Sequence, residues 1–342
     1  MTRLLNAKKR LSSIGLEIDA HEFRAVQLMQ SSQGINTVAW AIFPRHEGHV
    51  SDEMAELPTS EELHWGSDIL SRRGFIGNAV SITPSHSESS SHILELPPAS
   101  SGAPIKQLAR MEVARSRKCA PDDFELGYWA LPAKGRTHET LAVAFPRTTI
   151  DQTIERFESA GFVPVGMDLM ELAIHRGTHT PDGEVENEIN ASLHIGWESS
   201  LAVLTLGNTV IYVRRVKNGV CRIWNLLVDR YQLSPRGASM LLNDTEHADQ
   251  TDAFPKLQRA VWLGLAGELV QELDVAIAYV SHTFRMAPLG TIRLSGYGAG
   301  NQTLIKQIDL VLGIPVVDAP YHALTKELAR QRMYRPWRGD SW

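Results

Sequence analysis

Cysteine is nearly absent, with Cys119 and Cys221 the only two among 342 residues. Two thiols about a hundred residues apart make neither a disulfide framework nor a metal-ligand spacing, and they fit a reducing, cytoplasmic setting. Long apolar runs are missing too. The best stretches are broken by Gly207 and Asn208 or by Gly267 and Glu268, short of the ~18 uninterrupted apolar residues that indicate a spanning helix. No direct membrane span is therefore expected. Arg3, Lys8, Lys9 and Arg10 lead into a strand-like segment carrying Glu17 and Asp19, not the apolar core of a signal peptide, so export is not expected. Nor does one charge dominate: the formal net charge is −5, which supplies no global field for nucleic acid or an anionic membrane. One local concentration stands at the end, where Arg330, Arg332, Arg335 and Arg338 alternate with Tyr334, Trp337 and Trp342. Pro336 and Gly339 break any helix there, which predicts an extended, partner-facing or disordered tail and no nucleic-acid binding.

What is present is an ordinary globular composition, 43% hydrophobic and 21% charged, in a chain longer than the ~100–200 residues of one domain. Two lobes are expected. Residues 12–19, 23–30 and 35–43 read as three strands opening an antiparallel sheet, the second alternating Phe23 and Ala25 against Arg24 and Val26. A helix over 61–73 and a buried strand over 78–83 lead into the Ser-rich stretch 84–91. Between 92 and 145 the texture turns to small α+β, with a turn at Pro97-Pro98, a helix over 105–118 and strands near 125–130 and 140–145. A helix over 148–160 stopped by Gly161, a strand over 163–169 and a helix through Ile174 follow, then a linker over 175–190.

After the linker the beginning repeats. Leu16, Ile18, Ala25 and Val26 align without gaps onto Leu193, Ile195, Ala202 and Val203, and a further strand follows at 209–215. The repeated strand, turn, strand, strand order predicts a duplicated fold. A helix over 220–231, another begun by Ser234 as N-cap and Pro235, and a long helix over 254–284 come next. A strand over 291–294, a glycine-rich turn, a helix over 301–312 and a strand over 315–317 complete the pattern. Strand, glycine-rich turn, helix is an arrangement that presents backbone N–H groups to an anion or a ribose.

Taken in order, these segments resemble the PilM-type pilus-assembly proteins of the actin-like ATPase superfamily. IRLSGYGAGNQTLIKQIDLVLGIPVVDA, 292–319, is similar to that family's adenosine-side motif, helix and strand, and ELVQELDVAIAYV, 268–280, to the long helix before it. TLAVAFPRTTIDQTIERFESAGFVPVGMDLMELAI, 140–174, is similar to the segment closing the first lobe. MEVARSRKCAPDDFELGYWAL, 111–131, with Pro97, resembles the small subdomain of PilM and of its cell-division relative FtsA. The resemblance implies an α/β, duplicated actin-like (ribonuclease H-like) two-lobed fold with a small α+β insertion in the first lobe. Residues 1–91 and 146–180 would form the first lobe, 92–145 the insertion, and 181–220 with 288–330 the second lobe. Residues 221–287 would be its helical subdomain and 331–342 the tail. It further implies a cytoplasmic scaffold of a type IV pilus, or type II secretion-like, assembly machine, peripheral to the inner membrane. The partner would be a short cytoplasmic segment of a PilN-like inner-membrane protein, received around residues 82–130, with self-association left open.

In that family, nucleotide sits between the lobes, and this chain departs from the motifs that hold it. Glu17 stands where the family has Asp, Asp19 where it has Gly, Ala20 where it has a hydroxyl, and Arg24 where Lys is frequent. A carboxylate in a phosphate turn repels the phosphate, and losing glycine restricts backbone approach. His194 replaces the acid that holds metal-bound water, and neutral imidazole is a poor Mg²⁺ ligand. Gly196, Ser199 and Ser200 keep donors. Ser295, Gly296 and Gly298 keep the adenosine turn, but Tyr297 replaces a usual glycine, and Ser239 and Leu242 stand where Glu and Lys are frequent. Phosphoryl transfer is positioning plus charge neutralisation, so no ATPase activity, metal or resident cofactor is expected. Two alternatives stand: an ATP/Mg²⁺-binding switch using Glu17, Asp19, Arg24, His194, Gly196, Ser199, Ser295, Gly296 and Gly298, and a sugar or acyl kinase with Asp168 as base. Plainer readings make Glu17 and Asp19 polar turn residues, His194 a strand residue bonded to a neighbour, and Trp197 and Tyr297 the filling of the nucleotide volume. His175 and His179 have ligand spacing but no third ligand.

Overall fold

A computed structural model describes residues 10–32, 34–45, 57–83, 89–132, 138–178, 187–234, 237–238, 241–242, 253–285 and 287–318. These fall into two compact units, one holding the described residues up to 83 and 152–173, the other 89–151 and 174–318.

The first unit is built on β1 (Arg10–Ile18), β2 (Glu22–Ser31), β3 (Gly34–Pro44), β4 (Ala79–Thr83) and β8 (Val163–Met167) in the order β3-β2-β1-β4-β8. The first three strands are antiparallel, and β4 and β8 join in parallel. Alternation puts Ile14, Leu16, Phe23, Ala25, Val80 and Ile82 into one core, as a period of two requires. Helix α1 (Ser60–Arg72) lays Leu63 and Leu70 into that core. Gly66 of this helix faces the Phe23 ring, which would make an ordinary van der Waals contact of 3.4 Å with an added Cβ. Phe23 stacks on Phe43 at 5.0 Å, with Trp65 edge-on to both. The helix starts at a capping box: Thr59 accepts from the Glu62 N–H, and the Glu62 carboxylate accepts from the Thr59 N–H.

The second unit repeats this sheet. Strands β9 (Ile189–Ile195), β10 (Ser200–Leu206), β11 (Thr209–Val216), β12 (Leu289–Gly296) and β13 (Val316–Asp318) run in the order β11-β10-β9-β12-β13, antiparallel then parallel as before. Leu16 pairs with Ala25 and Leu193 with Ala202, so the residues that aligned in sequence occupy equivalent register. β9 alternates apolar Ile189, Ala191, Leu193 and Ile195 with polar Asn190, Ser192 and His194, yet every residue is buried, and the polar ones bond within the fold: Asn190 Oδ1 accepts the Thr291 N–H, Ser192 meets the Thr178 hydroxyl and His194 the Ser295 hydroxyl. Helices α6 (Ala253–Thr283) and α7 (Gln302–Leu312) pack against each other, and α6 also lies on β10 and β11. Asn301 caps α7, its side chain accepting from the Leu304 N–H at 3.0 Å.

The insertion is a three-stranded sheet, β5 (Ser90–Glu95), β7 (Glu139–Pro146) and β6 (Phe124–Ala130) in that order, covered by α2 (Ile105–Arg117). Val113, Ala114, Phe124, Ala142 and Ala144 form its core. It is inserted in the chain of the first lobe, between β4 and α3 (Arg147–Ser159), yet it groups with the second sheet. The Trp129 indole N–H donates to the Val210 carbonyl at 2.7 Å, and Arg215 donates to the Ser89 carbonyl at 2.9 Å.

Three sequence expectations change. The linker over 175–190 is shorter: α4 (Met170–Thr178) runs into it, and β9 takes Ile189 and Asn190. Thr178 donates to the Ile174 carbonyl at 2.8 Å and meets the Ser192 hydroxyl at 2.7 Å, which fastens the last turn to β9. The helix over 220–231 is α-helical only in α5 (Val220–Asn225) and continues as a π turn over Leu226–Arg230. The strand over 163–169 ends at Met167. The tail over 331–342 and the stretch 84–88 lie outside the described residues, whereas Ser89 leads into β5 and Ser90 and Ser91 begin it. Among the described residues, no helix is long and apolar enough to cross a membrane, and no group of three His, Cys, Asp or Glu is placed to hold a metal.

Candidate functional site

The β1–β2 turn carries Glu17, Asp19 and Arg24. Antiparallel register sets Glu17 opposite Arg24, and the guanidinium meets Glu17 at 3.1 Å, Asp19 at 2.9 Å and Glu22 at 2.7 Å. Asp19 Oδ1 also accepts the backbone N–H of His21 at 2.7 Å and of Glu22 at 2.8 Å. Successive N–H groups in a turn form an anion nest; here a carboxylate of the same turn occupies it. The side chain that repels an incoming phosphate thus takes the donors a phosphate would use, and the cation that would neutralise one is shared among three acids.

Arg45 ties this turn to α1. It donates from Nε to Glu62 Oε1 and from Nη2 to Glu62 Oε2, each at 2.9 Å, and its Nη1 reaches the Asp19 carbonyl at 3.3 Å. Its own N–H donates to the His21 carbonyl at 2.9 Å. Burial pushes the His21 pKa below its ordinary 6.5, with Asp19 opposing and Arg24 adding to the shift. The folded state therefore holds its proton less tightly than the unfolded chain. The stability this gives is present above 6.5 and is lost as pH falls from there toward the lowered folded value. Urea midpoints at about pH 5.5 and 7.5 are expected to differ less in His21→Gln than in the parent; an unchanged difference would remove His21 from the pH response.

In the second unit, His194 is the penultimate residue of β9 with Gly196 and Ser199 in the β9–β10 turn, while Ser295 and Gly296 end β12 and Gly298 lies just beyond it. Parallel pairing places Ser295 beside His194 and Gly296 beside Ile195. His194 is buried, and its Nδ1 lies 3.1 Å from the Ser295 hydroxyl, the neighbour-bonded arrangement. The Gly196 N–H donates to the Ser199 carbonyl at 3.2 Å, and Ser200 Oγ donates to the Asn218 carbonyl at 2.8 Å. The first two N–H groups of α5 donate to the carbonyls of Gly196 and Trp197, at 3.1 and 2.8 Å. A helix N-terminus that would suit an anion is joined instead to the turn it faces. Gly219 permits this approach, since an added Cβ would lie 2.2 Å from the Trp197 carbonyl oxygen.

The glycine-rich turn keeps its backbone form. Gly296 and Gly298 have φ of +81° and +69°, which favours glycine at both. An added Cβ would lie 2.2 Å from the Ile195 carbonyl oxygen at Gly296 and 2.4 Å from the Trp262 ring at Gly298. Aromatic rings crowd the same strand ends: Trp197 is 5.6 Å from Tyr297 and 5.6 Å from Trp224 between ring centroids.

A separate feature lies wholly within the insertion. Phe124 and Leu126 of β6 face α2, and Tyr128 and Ala130 continue the same sheet face but stay exposed. The face extends past the helix start, leaving a groove of about 810 Å³ walled by Pro97, Pro98 and Pro104.

No family model matches the chain, and no curated protein matches it either. Among solved structures, it is similar to a chain of a PilM-PilN type IV pilus biogenesis complex, at TM-score 0.69 and 19% identity over 94% of this chain and 93% of that one. The chain has the PilM-type, actin-like fold. The ethanolamine utilization protein EutJ of Carboxydothermus hydrogenoformans is also similar, at TM-score 0.52 and 12% identity over 91% and 86% of the two chains.

On this actin-like fold, each half brings its own candidate residues together: Glu17, Asp19 and Arg24 in the first unit, the six others in the second. Asp168 follows β8, its N–H donating to the Ile82 carbonyl at 2.9 Å, and His175 Nε2 lies 3.2 Å from the Asn208 carbonyl oxygen. His179, Ser239 and the Pro235 start lie outside the described residues, but Ser234 does accept the Gly237 N–H, at 3.1 Å. Sequence reasoning missed Arg45, Glu62 and Trp262. Thr59 and Glu62 carry the capping-box spacing and so were findable; nothing local marks Trp262, whose role depends on the distant Gly298.

Proposed function

We propose that this chain is a scaffold of a type IV pilus, or type II secretion-like, assembly machine, recruiting a short cytoplasmic segment of a PilN-like inner-membrane protein. In this reading its nucleotide turns are relics that no longer serve phosphoryl transfer, and the protein sits in the cytoplasm, held at the membrane by its partner. The fold likeness supports the assignment to pilus-type machinery. The observation that carries the loss of nucleotide chemistry is Asp19, whose carboxylate takes the His21 and Glu22 N–H groups while sharing Arg24. With the donors of the turn satisfied from within, binding phosphate requires breaking those bonds and bringing two anions together.

Titration calorimetry with ATP and Mg²⁺ is expected to give no heat, and the melting temperature no shift. Immobilised protein is expected to retain the cytoplasmic segment of a PilN-like partner with or without ATP. Micromolar, Mg²⁺-dependent ATP binding that disappears in Gly298→Trp would replace the scaffold with the nucleotide switch. Failure to retain any cytoplasmic segment of cognate pilus or secretion membrane proteins would count against recruitment itself.

A further inference from the structure

We infer that the corner where β5 meets the end of α2 binds a tetrahedral oxyanion, such as a phosphate group, through Arg117, His92 and Ser90. The site is built from side chains of the insertion alone and is independent of the recruitment reading.

Arg117 is the side chain that points to it. Arg45, Arg110, Arg147, Arg214 and Arg222 each meet a carboxylate. Arg117 is half-buried and meets none among the described residues. Its one hydrogen bond among them runs from Nη1 to the Ser90 hydroxyl at 2.5 Å, and its guanidinium carbon lies 6.0 Å from the centre of the Phe124 ring. A guanidinium carries five N–H donors in a planar fork that matches the oxygens of a phosphate, so most of this fork is uncommitted. A cation held over a ring and away from any acid leaves a positive potential that an anion would neutralise.

Two further groups meet it there. Ser90 and His92 lie two residues apart on β5, hence on one face, and Ser90 Oγ lies 3.0 Å from His92 Nε2. The other ring nitrogen, Nδ1, lies 3.5 Å from the Ser116 hydroxyl of α2. Burial first, and then the Arg117 charge, hold the His92 pKa below its ordinary 6.5. No acid contributes to that shift: β7 sets Ala142 opposite His92, α2 brings Ser116 and Arg117, and Cys119 packs on the insertion core. His92 is therefore neutral at about pH 7.5 and takes a proton when an anion arrives. Once Nε2 carries that proton it no longer accepts from Ser90, and the freed hydroxyl donates to the anion beside Arg117.

The end of α2 does not oppose this. Of its last carbonyls, where the helix dipole is negative, those of Ala114 and Arg115 accept the N–H groups of Cys119 and Lys118 at 3.2 and 3.3 Å. Of the acids that follow, Asp123 accepts the Ala120 N–H at 2.8 Å, and neither it nor Asp122 pairs with Arg117.

The test uses the whole protein and sulfate, a tetrahedral dianion across the neutral range, against chloride at equal ionic strength. In nuclear magnetic resonance spectra the His92 ring signals, assigned by their loss in His92→Gln, are expected to move saturably with sulfate and to titrate at higher pH in its presence. The amide signals of Ser90 and Ser116 report affinity in the variants. Proton uptake makes sulfate bind more tightly at about pH 5.5 than at about 7.5, and His92→Gln is expected to flatten that difference. Arg117→Met keeps a flexible stem over Phe124 without the charge and is expected to weaken sulfate about tenfold or more. Arg115 already pairs with Glu112, so Arg115→Gln is expected to bind as the parent does. Sulfate acting no differently from chloride, or affinity untouched by Arg117→Met, would overturn the site. Should Arg117→Met unfold, the parent's titration decides alone: a His92 pKa unmoved by sulfate rejects it. Co-sedimentation with phosphatidylglycerol vesicles, with phosphatidylcholine as the neutral control, tells the sources of the phosphate apart. Retention by the anionic vesicles that Arg117→Met abolishes assigns a lipid headgroup; sulfate binding without retention assigns a free phosphate compound.

Discussion

Trp262→Ala is expected to lower the unfolding free energy by about 3–5 kcal/mol, the range for removing a large aromatic from a core. Trp262 is 1% exposed and packs against the glycine-rich turn so closely that Gly298 has no room for a Cβ. The cavity would open directly under that turn, and the turn is irregular backbone that depends on what lies beneath it. Trp262→Phe separates packing from polarity. The indole N–H is buried with no hydrogen-bond partner among the described residues, so phenylalanine removes an uncompensated donor along with some volume. Its cost is expected to be well below that of alanine. Urea denaturation with m held constant measures both; equal losses in the two variants would mean that ring volume is not what the site requires.

Glu62→Ala is the second large effect. Glu62 completes the capping box of α1 and holds Arg45 in a bidentate pair, both side chains 10% exposed. Breaking such a pair by removing one member costs about 3–5 kcal/mol, since the remaining charge is left without its carboxylate. Arg45 also reaches the Asp19 carbonyl, so the β1–β2 turn should loosen with it. Hydrogen exchange at His21 and Glu22, whose N–H groups bond to Asp19, is expected to quicken in Glu62→Ala. Replacing the pair together, as Arg45→Met with Glu62→Leu, is expected to recover most of the loss, because an apolar pair carries no desolvation cost. A double variant as unstable as the single one would show that the pair's contribution is the cap and not the charge.

Much of this molecule is visible in the linear chain because its signals are local. Period-two alternation around Phe23 and Ala25, the capping spacing of Thr59 and Glu62, and the gapless match of Leu16 and Ala25 to Leu193 and Ala202 need only near neighbours. The match corresponds to the same antiparallel pairing in both sheets. The identities of Glu17, Asp19 and His194 already argued against a working phosphate and metal site, since charge and ligand hardness travel with the residue type. Reading 175–190 as one linker failed because its composition is turn-like, whereas Thr178 is fixed as helix by its bond to Ser192 on β9, a contact composition cannot express.

The sequence by itself determined the duplicated α/β architecture and the chemical character of the β1–β2 and β9–β10 turns, because backbone periodicity and side-chain charge are properties of short segments. Only the tertiary structure decided how those turns are satisfied: the Asp19 carboxylate turns back onto its own N–H groups, and the start of α5 meets the carbonyls of Gly196 and Trp197. It alone decided that the insertion groups with the second sheet, and that α2 leaves Tyr128 and Ala130 uncovered. Each of these depends on where one element lies over another, and that geometry comes from packing between residues far apart in the chain.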